Sequence, residues 1–160
     1  MQTAPRRRAA QAPFAVLAAA AAAACSHAAA GYTPGLGEIM SLTQMRHQKL
    51  WLAGEAGNWP LASYELDELA EGFQDVVAFH PALPQSSIQL TQVVPAAVDQ
   101  PIAALKTAVA HQDRAEFTRA FDGLTASCNT CHVLTSHGFN LIVRPAASSF
   151  PNQDFRGPAK

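Results

Sequence analysis

Cys128-Asn129-Thr130-Cys131-His132 is a CxxCH stretch, and this spacing is the pattern of covalent haem attachment. On a helix, residues three apart share a face. Both thiols can therefore add to the vinyl groups of one porphyrin. His132, next in the chain, then lies under the iron, where a neutral imidazole nitrogen is a good axial ligand. The expected cofactor is one covalently attached haem c per chain, with Cys128 and Cys131 as its anchors and His132 as proximal iron ligand. Such a chain has to be exported, wrap a flat apolar disc, and offer or withhold a second axial ligand.

The helix that carries the stretch begins at Asp113, an N-cap with Glu116 three residues on in capping-box spacing. Phe117, Phe121, Leu124 and Cys128 follow at helical spacing, so the first haem cysteine falls on the core face. Upstream, residues 36–53 read as a helix with Met40, Thr43, His47, Leu50 and Trp51 on one side. Gly54, Gly57, Asn58 and Pro60 break it. A second helix is expected from Asn58 or Trp59, with Leu66, Leu69, Phe73, Val76 and His80 in its stripe. Glu65, Asp67, Glu68 and Glu71 are expected in water, and Pro81 ends the helix.

Residues 81–95 hold Pro81, Pro84 and Pro95 and read as a long connection. A third helix is expected from near Asp99, with Pro101 in its first turn, to about His111. Four helices with two short connections and one long one, and no period-two runs, predict an all-α fold: an antiparallel four-helix bundle with an irregular C-terminal tail. Gly138 reads as the stop of the last helix. The apolar run 139–143 then either folds over a haem edge, with Arg144 on a propionate, or packs on the bundle with Arg144 solvated. Residues 146–160 are expected to form a loosely ordered tail.

At the other end of the chain, Arg6, Arg7 and Arg8 precede an uncharged alanine-dominated run over residues 14–24. This is the pattern of a secretory signal peptide cleaved near Ala28 or Ala30. The run is shorter than the roughly 20 residues that span a bilayer. Cys25 follows Ala22-Ala23-Ala24, where it is either lipidated as a membrane anchor or removed with the leader. The expected organisation is a leader over 1–30, a haem-binding bundle over 31–145 and the tail over 146–160, in the periplasm. Without the three leader arginines the chain has 8 basic and 12 acidic residues, a balance of −4. That mildly acidic surface argues against nucleic acid as a partner and suits a basic redox partner protein. The sequence leaves homodimerisation open.

Taken together, Cys128, Cys131 and His132 near the end of the last helix, the helix count and the length resemble the class II c-type cytochromes, the four-helix-bundle group of cytochrome c prime and its low-spin relatives. The resemblance spans residues 36–137, with the CxxCH its specific part. It implies that the last-helix histidine is the proximal ligand and that a first-helix residue faces the other side of the haem, a methionine in low-spin members and a non-ligating residue in gas-binding ones. This chain departs from the pattern in carrying Ser136 where the family has a basic residue, and in continuing more than twenty residues past the motif. Its first connection, through Gly54 to Trp59, is also unlike the family's, which suits a separate branch.

The candidates for the distal position are Met40, Met45, His47, His80, His111 and His137. Met40 and His47 are seven residues apart, on one face but about 10 Å apart along the axis, so only one of them can bind the iron. Met45 is about 140° round from Met40 and faces elsewhere. Met40 is the first choice and His47 the alternative, and thioether ligation gives the higher reduction potential. His80 and His111 lie at helix ends, and His137 follows the motif too closely to reach the opposite haem face. The function expected is electron transfer by a periplasmic monohaem cytochrome, with a high-spin protein binding nitric oxide or another small gas as the alternative. No paired carboxylates or nucleophile with a base stand on recognisable spacing, so an enzyme is not expected. A zinc or thiol-redox role for the CxxC lacks a second ligand pair and a βαβ setting.

Overall fold

A computed structural model describes residues 31–157. The basic run, the alanine-rich leader and Cys25 lie outside the described residues. Four helices follow one another: α1 Leu36–Glu55, α2 Trp59–Phe79, α3 Leu90–His111 and α4 Arg114–Leu134. Among the described residues there is no strand, only one isolated bridge between Ala82 and Gln89. None of the helices is long and apolar enough to cross a membrane. α1 packs on α2, α2 on α3, α3 on α4, and α4 closes back on α1, an arrangement compatible with a four-helix bundle.

The two short connections use one device. At the end of α1, Gly57 takes a left-handed conformation at φ 70°, its N–H donates to the Gly54 carbonyl and the Asn58 N–H to the Ala53 carbonyl, the paired bonds of a Schellman motif. Asn58 then caps α2, its side chain accepting from the Leu61 N–H. At the end of α3, Gln112 is left-handed and the Asp113 N–H donates to the Ala108 carbonyl. Asp113 in turn caps α4 by accepting from the Glu116 N–H at 2.9 Å. At these two connections one residue thus closes a helix and opens the next, which keeps the connection short.

α3 begins nine residues earlier than Asp99 and contains both Pro95 and Pro101. Each proline removes an N–H from the helix ladder, at a usual cost of about 3 kcal/mol or more in a helix interior. Against that cost, the early start buries Leu90, Val94 and Val98, each worth roughly 1.5–3 kcal/mol. Burial therefore overrides the local proline signal. Glu65 is a second departure: it is 1 % exposed rather than in water. Its carboxylate is satisfied by Arg46 Nη1 at 3.1 Å, and the same guanidinium reaches Glu68 at 2.8 Å.

The bundle is filled unevenly. At the end formed by the α1–α2 turn, Trp51, Trp59, Phe117 and Phe121 pack as a cluster, with Trp51 and Phe121 centroids 4.9 Å apart and Trp59 edge-on to Phe117 at 5.8 Å. The opposite end is lined by smaller groups, among them Val76, Leu90 and Val94, and is hollow.

Residues 147–157 have no regular secondary structure, yet they are docked rather than loose. Phe155 is buried and packs at a tilt against Phe150, Lys49 lies over the Phe150 ring, and Gln48 donates to the Ala147 carbonyl and to Ser149 Oγ.

Gly54 has no room for a side chain, because a Cβ there would sit 2.2 Å from the fully buried Phe117 ring. Gly54→Ala is expected to cost about 1–3 kcal/mol in urea unfolding, as overpacking does. Gly123 on α4 has open space around it, so Gly123→Ala is expected to stabilise by up to about 1 kcal/mol.

Candidate functional site

The inner stripe of α4 runs from fully buried Phe117, Phe121 and Leu124 to half-buried Cys128. The helix then ends two residues beyond His132. The stop is not at Gly138 but at Ser136, whose φ of 63° places a non-glycine residue in the left-handed region. The Ser136 N–H donates to the Val133 carbonyl and the His137 N–H to the His132 carbonyl, a third Schellman closure. The chain turns at residues 137–140, with the Asn140 N–H on the His137 carbonyl, and comes back along α4.

Two contacts tie that returning segment to the CxxCH stretch. The Asn129 carboxamide donates to the Ile142 carbonyl and accepts from the Ile142 N–H, both at 2.8 Å. His132 Nδ1 lies 2.6 Å from the Asn140 carbonyl oxygen. Further on, Arg144 pairs with Asp122 on α4 and its guanidinium lies 4.4 Å over the Trp51 ring. Residues 139–144 run back along α4 with Phe139, Leu141 and Val143 exposed, and Arg144 is engaged by a carboxylate and an indole rather than solvated.

Both thiols and His132 face a cavity of about 260 Å³ at the hollow end of the bundle. α1 contributes Met40, α2 contributes Phe73 and Val76, and α3 contributes Leu90 and Val94. A smaller cavity of about 90 Å³ adjoins it and shares Met40, Cys128, His132 and Asn140. The walls are apolar apart from the thiols, the imidazoles of His132 and His137, and a few small polar groups. Sequence reasoning missed Leu90 and Val94 because Pro95 hid the helix that presents them. Their spacing of four, continued by Val98, was the signal available.

The other candidates are dispersed. His47 is buried and lines only the smaller cavity. Its Nε2 lies 2.9 Å from Thr125 Oγ1, and that hydroxyl donates its single proton to the Phe121 carbonyl. Nε2 must therefore carry the proton and donate to Thr125. The ring lies tilted against Phe121 with centroids 4.3 Å apart, and burial pushes the imidazole down to about 4. Met45 lines neither cavity. His80 closes α2 and bonds the Pro34 carbonyl. His111 is exposed beside Glu116. His137 reaches the cavity edge, with Nδ1 on the Thr135 carbonyl.

Burial raises the thiol of Cys128 to about 12, helped by the neighbouring Cys131, and burial raises Cys131 as well. Reactive CxxC thiols are depressed instead, by helix N-termini or nearby cations. These two sit at a helix C-terminus among apolar groups, the opposite of the setting that depresses a reactive thiol. Among the described residues, no three His, Cys, Asp or Glu side chains cluster to hold a metal ion by themselves. No family model, curated protein or solved structure matches the chain.

Because the His47 imidazole titrates near 4 when folded and near 6.5 when unfolded, the unfolded chain binds the extra proton between those values. Its contribution to stability is then complete above pH 6.5 and declines as pH falls towards 4. A loss of about 3 kcal/mol over that window is expected in urea titrations, and His47→Gln is expected to flatten it.

Proposed function

We propose that this protein is a periplasmic monohaem c-type cytochrome that transfers electrons, a divergent branch of the class II group. The observation that carries this reading is that Cys128, Cys131 and His132 from α4 and Met40 from α1 wall one common cavity. These residues fit a haem: the walls are apolar, the paired thiols lie along one wall, and an imidazole follows them. Bound there, haem supplies a one-electron iron couple.

Cys128 and Cys131 would hold it through thioethers, and His132 would offer a ring nitrogen to its iron. Met40 offers a thioether sulfur from the opposite helix, a ligand that raises the reduction potential relative to a second imidazole. His47 is held for packing, since its Nε2 proton is engaged by Thr125. Phe73, Val76, Leu90 and Val94 exclude water, which reduces reorganisation when charge changes at the centre. A mature balance of −4 favours docking to a basic redox partner. A gas-binding role needs the position opposite His132 to be open, and the place of Met40 on the cavity wall favours the carrier.

The test is expression of the full chain with the haem-attachment machinery, followed by absorption spectra of both oxidation states. Haem that survives denaturation and a low-spin spectrum with the weak long-wavelength sulfur-to-iron band are expected. Met40→Ala is expected to lose that band and become high-spin, while Cys128→Ser with Cys131→Ser abolishes covalent attachment. Absence of covalent haem in the unaltered chain would overturn the proposal. A high-spin spectrum that shifts on adding nitric oxide would replace it with gas binding.

A further inference from the structure

Asn129, the first residue between the two cysteines, is not required by the attachment chemistry, yet its carboxamide is engaged through both its nitrogen and its oxygen. It makes a two-point clip to the backbone of Ile142, donating to the carbonyl and accepting from the N–H at 2.8 Å each. The clip fastens the segment that turns back after α4. Two residues before Ile142, the Asn140 carbonyl faces His132 Nδ1 at 2.6 Å. A carbonyl oxygen only accepts, so Nδ1 must carry the proton, and the lone pair of the neutral imidazole is left on Nε2. The turn bond from the Asn140 N–H to the His137 carbonyl, and the bond from the His137 N–H to the His132 carbonyl, set the direction of that acceptor.

We infer that Asn129 and the returning segment 140–142 form a positioning device for the proximal ligand: the clip holds the Asn140 carbonyl on His132 Nδ1, fixing the tautomer and orientation of the imidazole and increasing its basicity. The inference rests on His132 being the iron ligand. A ligating histidine that donates its other N–H to an acceptor is a better electron donor, and loss of the acceptor weakens it. A more basic imidazole favours the oxidised iron, so the clip lowers the reduction potential. The segment past the motif thereby acquires a role in tuning.

The experiment compares the full chain with Asn129→Ala and with Ile142→Pro, each expressed with the haem-attachment machinery. Ile142→Pro removes one of the two clip bonds from the segment side and leaves the CxxCH stretch intact. Hydrogen exchange at the Ile142 amide and at His132 Nδ1 is measured by nuclear magnetic resonance in the reduced protein, beside the reduction potential. For Asn129→Ala, faster exchange at both sites and an equilibrium about tenfold more reduced are expected, which for a one-electron couple is about 59 mV. Ile142→Pro is expected to accelerate Nδ1 exchange and shift the potential in the same direction by less. Nδ1 exchange unchanged in Asn129→Ala overturns the inference, as does faster exchange with an unchanged potential. If the chain carries no haem, the proposed function fails separately. Nδ1 exchange in that chain then decides the clip, upheld by loss of protection in step with Ile142 and overturned by its retention.

Discussion

Phe117 lies against α1 where Gly54 has no side chain, and this close approach sets the axial register of α1 against α4. The two helices run antiparallel, so distances from the contact can be counted along both. Fourteen residues back from Gly54 is Met40, and fourteen residues on from Phe117 is Cys131. At 1.5 Å per residue both are about 21 Å away, which brings them to the same level. The same counting puts His47 level with Leu124, beside Phe121 and Thr125, and those two are its neighbours. One missing methyl group at the packed end therefore places a thioether opposite the thiols at the hollow end.

The two ends divide the work of the fold. Four clustered aromatic rings make one end dense, while at the other mostly aliphatic groups, with Phe73, line the cavity. Polar groups inside are each provided for. His47 donates to Thr125, Thr43 donates to the Ile39 carbonyl, and Glu65 is matched by Arg46. A buried carboxylate without its guanidinium would be strongly destabilising, so Arg46 and Glu65 also fix how α1 and α2 slide past one another.

Much of the frame was legible along the chain. The caps Asn58 and Asp113 announce α2 and α4 by chemistry that acts within three residues. The stripe from Phe117 to Cys128 places the first cysteine inward. Less legible were features that depend on distant partners. Pro95 concealed the first turns of α3, because the burial that overrides it involves residues on other helices. Glu65 read as solvated because its partner, Arg46, lies on another helix. Ser136 gave no glycine-like sign of a helix end, and Phe150 and Phe155 gave none of a docked tail.

Local chemistry is enough to establish four helices, their order, and the pairing of two thiols with an imidazole in the last of them, since helical periodicity and capping act over one or two turns. Which side chain faces that trio is a matter of register between α1 and α4, and register is set by steric contact between residues far apart in the chain. The same holds for the proton on His132, which is fixed by a backbone carbonyl eight residues later. No side-chain pattern encodes that carbonyl. It arrives only because the returning segment is clipped in place.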